Sequence, residues 1–374
     1  MTASLFTRDA ALRRTGQVED FRSLTMPLRF NRTSTWLLEL DAGSPAVALL
    51  GRTDGLIVER DGVTLLSGPV VSINRESSGD RETVTVAGVD DTVWLDRRLV
   101  LPVPGGPPYT AAEYDDKSGA AETVLRWYVD RNLGPSASAA RRLPYLTLAA
   151  DLARGLSVRG RGRFHTLTEL LQPLALAGGD LGFRIVQVGA GLEFQVYEPA
   201  DRTGTAVFSR DLGNLAGYSY STAAPAADYV YVGGQGEGTL REVVEGGTQA
   251  DIDVYGRIEQ FRDRRDVDTT ATLEQARTEA LAESQPGTSL SINPIDTPAV
   301  SFGVEYVLGD RVTVDVEGER IQDVVREVVL TLTSDRGEQV TPLVGTPGAA
   351  SPQALALFAR QERLDRRISN QERR

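Results

Sequence analysis

A long run of alternating apolar and polar residues near the C-terminus is the feature that most constrains the fold of this chain. It spans residues 306–345, YVLGDRVTVDVEGERIQDVVREVVLTLTSDRGEQVTPLVG. Alternation with a period of two is typical of half-buried strands, and glycine in a turn can take positive φ. The stretch predicts a three-stranded antiparallel meander, with strands at 312–316, 321–332 and 340–344 and turns at 317–318 and 335–337.

A similar pattern lies near the N-terminus, at residues 55–88 (GLIVERDGVTLLSGPVVSINRESSGDRETVTVAG). Two turns, Asp61-Gly62 and Gly79-Asp80, separate three apolar runs in the same order. The spacing from the first turn glycine to the second nearly matches that from Gly318 to Gly337. The repeat favours duplication of one small β-domain, and the alternative is a chance likeness between two unrelated meanders.

The composition excludes several classes of protein. The 374 residues suffice for about two to four domains with ample core. There is no cysteine, so disulfides, thiolate metal sites and a cysteine nucleophile are unavailable. The sequence has neither an apolar run of about eighteen residues nor a secretory signal, so we expect no membrane span. The formal charge of −12 argues against specific nucleic-acid binding, which depends largely on basic residues that neutralise phosphates.

The chain between the two meanders mixes helical and strand patterns. The Pro/Gly tract at 101–110 indicates a domain boundary. Periodicity predicts helices at 118–133, 166–176 and 269–284, a hairpin at 183–188 and 192–197, and a flexible basic loop at 159–163 (RGRGR). The predicted domains are a first β-domain at 1–101, an α+β domain at 102–200, a second β-domain at 201–245 and 286–346, a strand–helix insertion at 246–285, and a linker with a C-terminal helix at 347–374.

The glycine-rich segment Gly233–Gly238 (GGQGEG) follows a predicted strand and is a candidate for phosphate binding. A dinucleotide fingerprint needs a helix opening at its last glycine, whereas residues 239–244 are strand-like. A hairpin loop is therefore the favoured interpretation. His165, the only histidine, lies at a loop-to-helix junction, where a local turn contact is favoured over a catalytic or zinc site.

Charged clusters elsewhere in the sequence point to surface structure. The acidic pairs Asp90/Asp91, Asp115/Asp116 and Asp251/Asp253 are predicted to be solvated turn residues. The mixed cluster Arg262–Asp266 fits an exposed face or a network of ion pairs between subunits. We therefore predict no catalytic residue, no metal site and no cofactor.

The C-terminal helix carries a narrow apolar seam. Six residues at alternating four- and three-residue steps form it, namely Ala354, Leu357, Gln361, Leu364, Ile368 and Gln371. This spacing is that of the a and d positions of a coiled coil, and it favours self-association as a trimer seam. The alternative is one helix packed on its own domain.

Several segments together resemble a known family. DYVYVGGQGEGTLREVV, GRIEQFRDRRDVD, YVLGDRVTV and the closing VTPLVG, with RFNRTSTWLLELDAG near the N-terminus, are similar to the tail-tip baseplate hub proteins of long-tailed actinobacterial phages (siphophages). The resemblance covers roughly residues 15–346. It implies a mainly β fold with α+β insertions, in which the two β-domains are similar small β-barrels.

The same resemblance implies a structural virion protein rather than an enzyme. It implies a homotrimeric hub at the distal end of the tail that adapts sixfold to threefold symmetry and forms the DNA exit channel. The implied partners are the distal tail ring protein, the C-terminus of the tape-measure protein, and downstream tip or fibre proteins. The alternatives are a tail-associated cell-wall hydrolase and a glycan-binding receptor module.

Overall fold

The computed structural model of the protein describes residues 3–345, apart from 79–80, 237, 266, 268, 285–286, 296–299, 317 and 334–336. Its strands, β1 to β21, are Ala3–Arg8, Arg14–Val18, Ser23–Arg29, Thr35–Asp41, Gly55–Arg60, Val63–Ser78, Arg81–Val89, Asp115–Ala120, Leu146–Leu148, Ser157–Gly162, Gly182–Val188, Gly191–Tyr197, Val207–Phe208, Leu215–Ala223, Tyr229–Gly233, Val243–Gly247, Glu259–Asp263, Gly287–Pro294, Arg311–Val316, Glu319–Thr333 and Gly337–Gly345. The α-helices, α1 to α5, are Val93–Asp96, Ala121–Asn132, Leu167–Ala177, Gln249–Tyr255 and Thr270–Glu283, and two short 3₁₀ helices are Pro45–Leu49 and Gly238–Leu240. The prediction of a mainly β chain is confirmed.

The described residues form two compact units. Unit 1 takes the chain up to residue 202, together with 301–311 and 327–341. Unit 2 takes 203–300, 312–326 and the described residues from 342. The regions predicted as separate domains at 1–101 and 102–200 both lie in unit 1. Strands β20 and β21 contribute residues to both units, so neither unit is a single continuous segment.

The N-terminal repeat forms the predicted meander, β5–β6–β7. Both neighbouring pairs are antiparallel, and the 16-residue strand β6 pairs with β5 in its first half and with β7 in its second. The turn from β5 to β6 has φ values of 50° at Asp61 and 81° at Gly62. Two consecutive positive φ values match the hairpin turn whose twist suits antiparallel strands. The C-terminal repeat likewise forms β19, β20 and β21, with β20 beside both of the others.

Glycines allow backbone and a large ring to approach closely in the core of unit 1. Trp36 on β4 lies opposite Gly88 on β7, and its indole Nε1 donates a hydrogen bond to the Val89 carbonyl oxygen at 3.2 Å. A Cβ at Gly88 would overlap the Trp36 ring, and one at Gly68 would overlap the Val89 carbonyl oxygen. Trp36 is 1% exposed, so its ring is part of the buried core of unit 1.

The first meander belongs to a larger antiparallel sheet in unit 1. Its strand order is β20–β3–β4–β7–β6–β5–β1–β2, and the part of β20 from Glu327 to Thr333 pairs with β3. Arg29 on β3 makes an ion pair with Glu327 at 3.0 Å across this pairing. Neither this sheet nor any other among the described strands closes into a barrel, so the predicted closed barrels are not found.

The α+β region at 115–197 packs helices α2 and α3 against strands around a common core. Large buried side chains of this core include Tyr128, Phe183 and Phe194. Helix α3 begins at a capping box, in which the Thr166 hydroxyl accepts the Glu169 N–H at 3.2 Å and the Glu169 carboxylate accepts the Thr166 N–H. The helix predicted at 166–176 and the hairpin β11–β12 are confirmed.

The predicted flexible loop at 159–163 is wrong, because residues up to Gly162 form strand β10. This strand pairs antiparallel with β8, which also takes the residues 118–120 predicted to begin α2. Gly160 and Gly162 face the core, where a Cβ would press against Tyr128 and Val100. The glycines therefore serve close packing, while Arg159 and Arg161, which alternate with them along the strand, lie on the opposite face.

Unit 2 contains a three-stranded sheet of order β16–β15–β17, covered on one face by helix α5. Val230, Val232 and Val244 of the sheet pack against Leu273, Ala276 and Ala280 of the helix, the one predicted at 269–284. The boundary predicted between residues 245 and 246 falls inside β16. Strands β14 and β18 form a second antiparallel pair in this unit. The residues of the predicted C-terminal seam, 354–371, lie outside the described residues.

We expect Gly88→Ala to lower the free energy of unfolding by about 2 kcal/mol, because overpacking a filled core forces side chains from their rotamers. Urea denaturation followed by circular dichroism measures the change. Gly43→Ala is the matched control, since a Cβ at Gly43 has no atom within 4 Å. Equal effects of the two substitutions would contradict the packing role of Gly88.

Candidate functional site

A buried ion pair links strand β1 to the residues that follow strand β7 in unit 1. Both guanidinium NH2 groups of Arg8 on β1 donate to the carboxylate of Asp91, at 2.8 and 2.6 Å. The Arg8 side chain is 4% exposed and that of Asp91 is not exposed. The Ser67 hydroxyl also donates to the Asp91 carboxylate, at 2.6 Å. Because buried charges need several partners to offset their lost hydration, this bidentate geometry is what allows the pair to lie inside the fold.

Gln187 on β11 completes the polar cluster from the other side. Its amide oxygen accepts a hydrogen bond from the Arg8 guanidinium at 2.5 Å, and its Nε2 donates to the carbonyl oxygens of Leu12 and Gly189. Gly55 on β5 makes room for the arginine, since a Cβ there would press on the Arg8 side chain. We call Arg8, Ser67, Asp91 and Gln187 the polar junction.

Two acidic residues in unit 1, Asp90 beside the polar junction and Asp115 on β8, have raised pKa values. Burial raises the pKa of Asp90 to about 7, although hydrogen bonds with Ser34 oppose the shift. The Thr92 N–H donates to the Asp90 carboxylate at 3.1 Å. Burial also raises the pKa of Asp115 to about 6, against the attraction of Arg131. The prediction that these acids are solvated turn residues is therefore wrong for Asp91 and Asp115, which are buried.

A cavity of about 270 Å³ opens beside the polar junction. Buried Leu12, Ile57 and Gln187 form its floor, and exposed Arg13, Arg14 and Ala190 lie at its rim. The cavity therefore combines an apolar floor with a basic rim.

The glycine segment predicted as a hairpin loop is one. Strand β15 ends at Gly233 and pairs antiparallel with β16. The Arg241 guanidinium donates to the carbonyl oxygens of Gly233 and Gly234 at 3.1 and 3.0 Å. A phosphate site presents backbone N–H donors to its ligand, whereas these two glycines present carbonyl acceptors to Arg241.

The other predicted sites lie apart from the polar junction in sequence and make local contacts. His165 accepts the Arg163 N–H on its Nδ1 at 3.2 Å, which is a turn contact of the predicted kind. In the cluster Arg262–Asp266, Arg262 pairs with Glu283 and Arg265 with Asp263, within the chain. Among the described residues, no group of three or more His, Cys, Asp or Glu side chains could hold a metal ion. No helix in the described part of the chain is long and apolar enough to cross a bilayer.

No local sequence pattern predicts the polar junction. Arg8 and Asp91 are 83 residues apart, and Arg8 and Gln187 are 179 apart. An arginine that ends an apolar strand and an acid that follows one are ordinary surface patterns. The one available clue was the run of adjacent acids at 90–91, whose burial depends on partners distant in the chain.

Comparison with known proteins gives the family. A model of the Siphovirus ReqiPepy6 Gp37-like proteins matches residues 4–346. The chain belongs to this family. The predicted membership of a siphophage tail protein family is thus confirmed, while its restriction to actinobacterial phages stays a prediction. A comparison with curated protein sequences finds no match.

Three solved structures share the fold of this Gp37-like protein over nearly its whole length. A tail protein from Neisseria meningitidis MC58 has a TM-score of 0.57 at 14% identity, covering 93% of this chain and 98% of its own. The 43 kDa tail protein of prophage MuSo2 from Shewanella oneidensis has a TM-score of 0.59 at 11% identity, covering 93% and 99%. Prophage tail protein gp18 from Listeria monocytogenes EGD-e has a TM-score of 0.56 at 11% identity, covering 96% and 98%. These likenesses establish a phage tail protein fold.

We expect Asp91→Asn to destabilise the Gp37-like protein by about 3–5 kcal/mol, because it leaves the Arg8 guanidinium buried without a counter-charge. Urea denaturation followed by circular dichroism measures the loss. The control is Asp41→Asn, which breaks the exposed pair with Arg22 and should cost less than about 1 kcal/mol. Similar losses in both variants would show that the buried pair contributes no more than a surface one.

Asp90 should make the protein less stable as the pH rises. Its pKa is near 7 when folded and ordinary when unfolded, so between about pH 4 and 7 the folded state holds the extra proton. Stability from this group is full below that window and is lost as the pH rises through it. Asp90→Asn should flatten the fall in melting temperature between pH 5 and pH 8, and exposed Asp20→Asn should leave it unchanged. An unaltered pH profile in Asp90→Asn would refute the assignment.

Proposed function

We propose that this protein is a structural component of the distal siphophage tail, where it forms a trimeric baseplate hub and has no enzymatic role. The observation that carries the proposal is the likeness of fold over 93% or more of the chain to phage tail proteins, with 98% or more of their own lengths covered. Family membership over residues 4–346 supports a virion role for the same residues.

The two meanders support the symmetry-adapting part of the proposal. β5–β6–β7 and β19–β20–β21 share their strand order and a long central strand, of 16 residues in β6 and 15 in β20. In the proposed hub each meander belongs to one of two similar β-domains. Three chains then present six similar units to a sixfold tail tube and a threefold face to the tip.

The charge of the chain fits a channel through which DNA leaves. A formal charge of −12 per chain gives −36 for three chains by multiplication. DNA affinity grows with each phosphate that a basic residue neutralises, so an acidic or neutral lumen repels DNA and lets it slide. In this proposal the neighbours of the hub are the distal tail ring protein, the C-terminus of the tape-measure protein, and tip or fibre proteins.

The domains of the proposed hub have the bounds that the sequence predicts. We propose that 347–374 is a linker and a C-terminal helix whose seam joins three chains. The α+β region at 102–200 and the strand–helix segment that begins near residue 246 are insertions into the framework formed by the two β-domains. The arginines of the cluster Arg262–Asp266 lie at contacts between proteins rather than in the lumen.

We expect the full chain to be a trimer in solution at about micromolar concentration, and mass photometry measures its mass. The seam variant Leu364→Asp should give monomers, because a charge at a d position opposes coiled-coil packing. Arg363→Gln, on another face of the same predicted helix, should leave the trimer intact. A monomer for the unaltered chain, together with a tail reconstruction that lacks a threefold ring of this protein, would refute the hub.

A further inference from the structure

The cavity beside the polar junction has the features of a binding site. Its volume of about 270 Å³ lies just below the range of pockets for drug-sized ligands and cofactors, about 300–1,000 Å³. It therefore has room for one or two amino-acid residues rather than a dinucleotide. It opens where the β1–β2 and β11–β12 turns of unit 1 meet strands β5 and β6.

The β1–β2 turn holds the cavity lining rigidly. The Asp9 carboxylate accepts the N–H groups of Ala11 and Arg13, both at 2.9 Å, and the Asp9 N–H donates to the Arg13 carbonyl oxygen at 2.9 Å. Within this turn Leu12 has φ of 65°, a left-handed conformation that is costly for a branched side chain. The strained backbone directs the Leu12 side chain into the floor, where it is 8% exposed.

The rim of the cavity is basic. Arg14 is already oriented, because its guanidinium pairs with Glu59 and lies over the Phe6 ring at 4.4 Å. The Arg13 side chain is exposed, and within the described residues its guanidinium has no partner. Glu59 and Asp9 balance the two arginines in formal charge, so the feature open to an anion is the exposed Arg13 guanidinium. A carboxylate is the protein group that best matches a guanidinium at such a position.

The floor of the cavity determines which chemical group of a ligand can enter it. Leu12 and Ile57 are apolar, and the two Nε2 hydrogens of Gln187 are donated to the carbonyl oxygens of Leu12 and Gly189. Half-buried Thr64 adds one hydroxyl to an otherwise largely apolar lining. An inserted polar group would lose its hydration for little return, whereas an aliphatic side chain gains by burial. The occupant must therefore be apolar at its inner end and anionic at the rim.

From this arrangement we propose that the cavity binds the C-terminal residue of a partner protein. The aliphatic side chain of that residue enters the floor between Leu12 and Ile57. Its terminal carboxylate pairs with the Arg13 guanidinium at the rim. The last residue of a chain carries a carboxylate and a side chain on the same carbon, so it can supply both groups to one small cavity.

The test uses the full chain and fluorescein-labelled peptides of sequence Gly-Ser-Gly-Ser-Ala-Leu. Fluorescence anisotropy should show that the peptide with a free C-terminal carboxylate binds about tenfold more tightly than its C-terminal amide. A peptide ending in Ser instead of Leu should bind as weakly as the amide. Free 4-methylpentanoate, which lacks the peptide chain, should compete only weakly.

Variants of this chain locate the binding. Arg13→Gln should reduce binding of the free-acid peptide to the level of the amide, and Ala190→Leu should block it by filling the cavity. Exposed Arg52→Gln, which removes the same charge away from the cavity lining, should bind like the unaltered chain. Unchanged melting temperatures show that the variants fold.

Four outcomes would overturn the proposal. They are equal binding of acid and amide peptides, unchanged binding in Arg13→Gln and Ala190→Leu, stronger binding of 4-methylpentanoate than of the peptide, and no binding at about 1 mM peptide. The third would assign the cavity to a small free acid instead of a protein C-terminus. None of these results depends on whether the chain is a trimer, so the hub proposal and this one fail independently.

Discussion

The buried pairing of Arg8 with Asp91 is the interaction on which the arrangement of unit 1 depends. It links β1, the end of β7 and, through Gln187, the hairpin β11–β12. A charge inside a protein is tolerated only when its partners are held in place, so the three elements must come together in one arrangement. Each of the three elements supplies a partner that the buried charges need, so loss of any one contact leaves a charged or polar group unpaired inside the fold.

Local patterns predicted much of the secondary structure because their physical causes are local. Alternation of apolar residues marked both meanders, and a run of leucines after Thr166 marked helix α3. The Asp61-Gly62 turn was also readable, since few residue pairs accept two positive φ values. These features depend on neighbours within a few residues, which the sequence displays directly.

The errors have the opposite cause. The flexibility of glycine predicts a loop at 159–163, but Gly160 and Gly162 allow β10 to approach Tyr128 and Val100. The local pattern around Asp91 predicts a solvated acid, because its partner Arg8 lies 83 residues away. The cavity floor brings together Leu12, Ile57 and Gln187 from three separate elements. Tertiary contacts decide which residues meet at such places, and local patterns in a sequence do not show those contacts.

The pairing of β3 with β20 has a consequence for how the protein is made. Arg29 and Glu327, which face each other across this pair, are 298 residues apart. A ribosome releases the N-terminal strands long before it reaches residue 327, so β3 must wait with one edge unpaired. Long-range pairing slows folding, and an open strand edge invites association with other chains. A chain cut short before residue 327 would therefore keep this strand edge of unit 1 exposed.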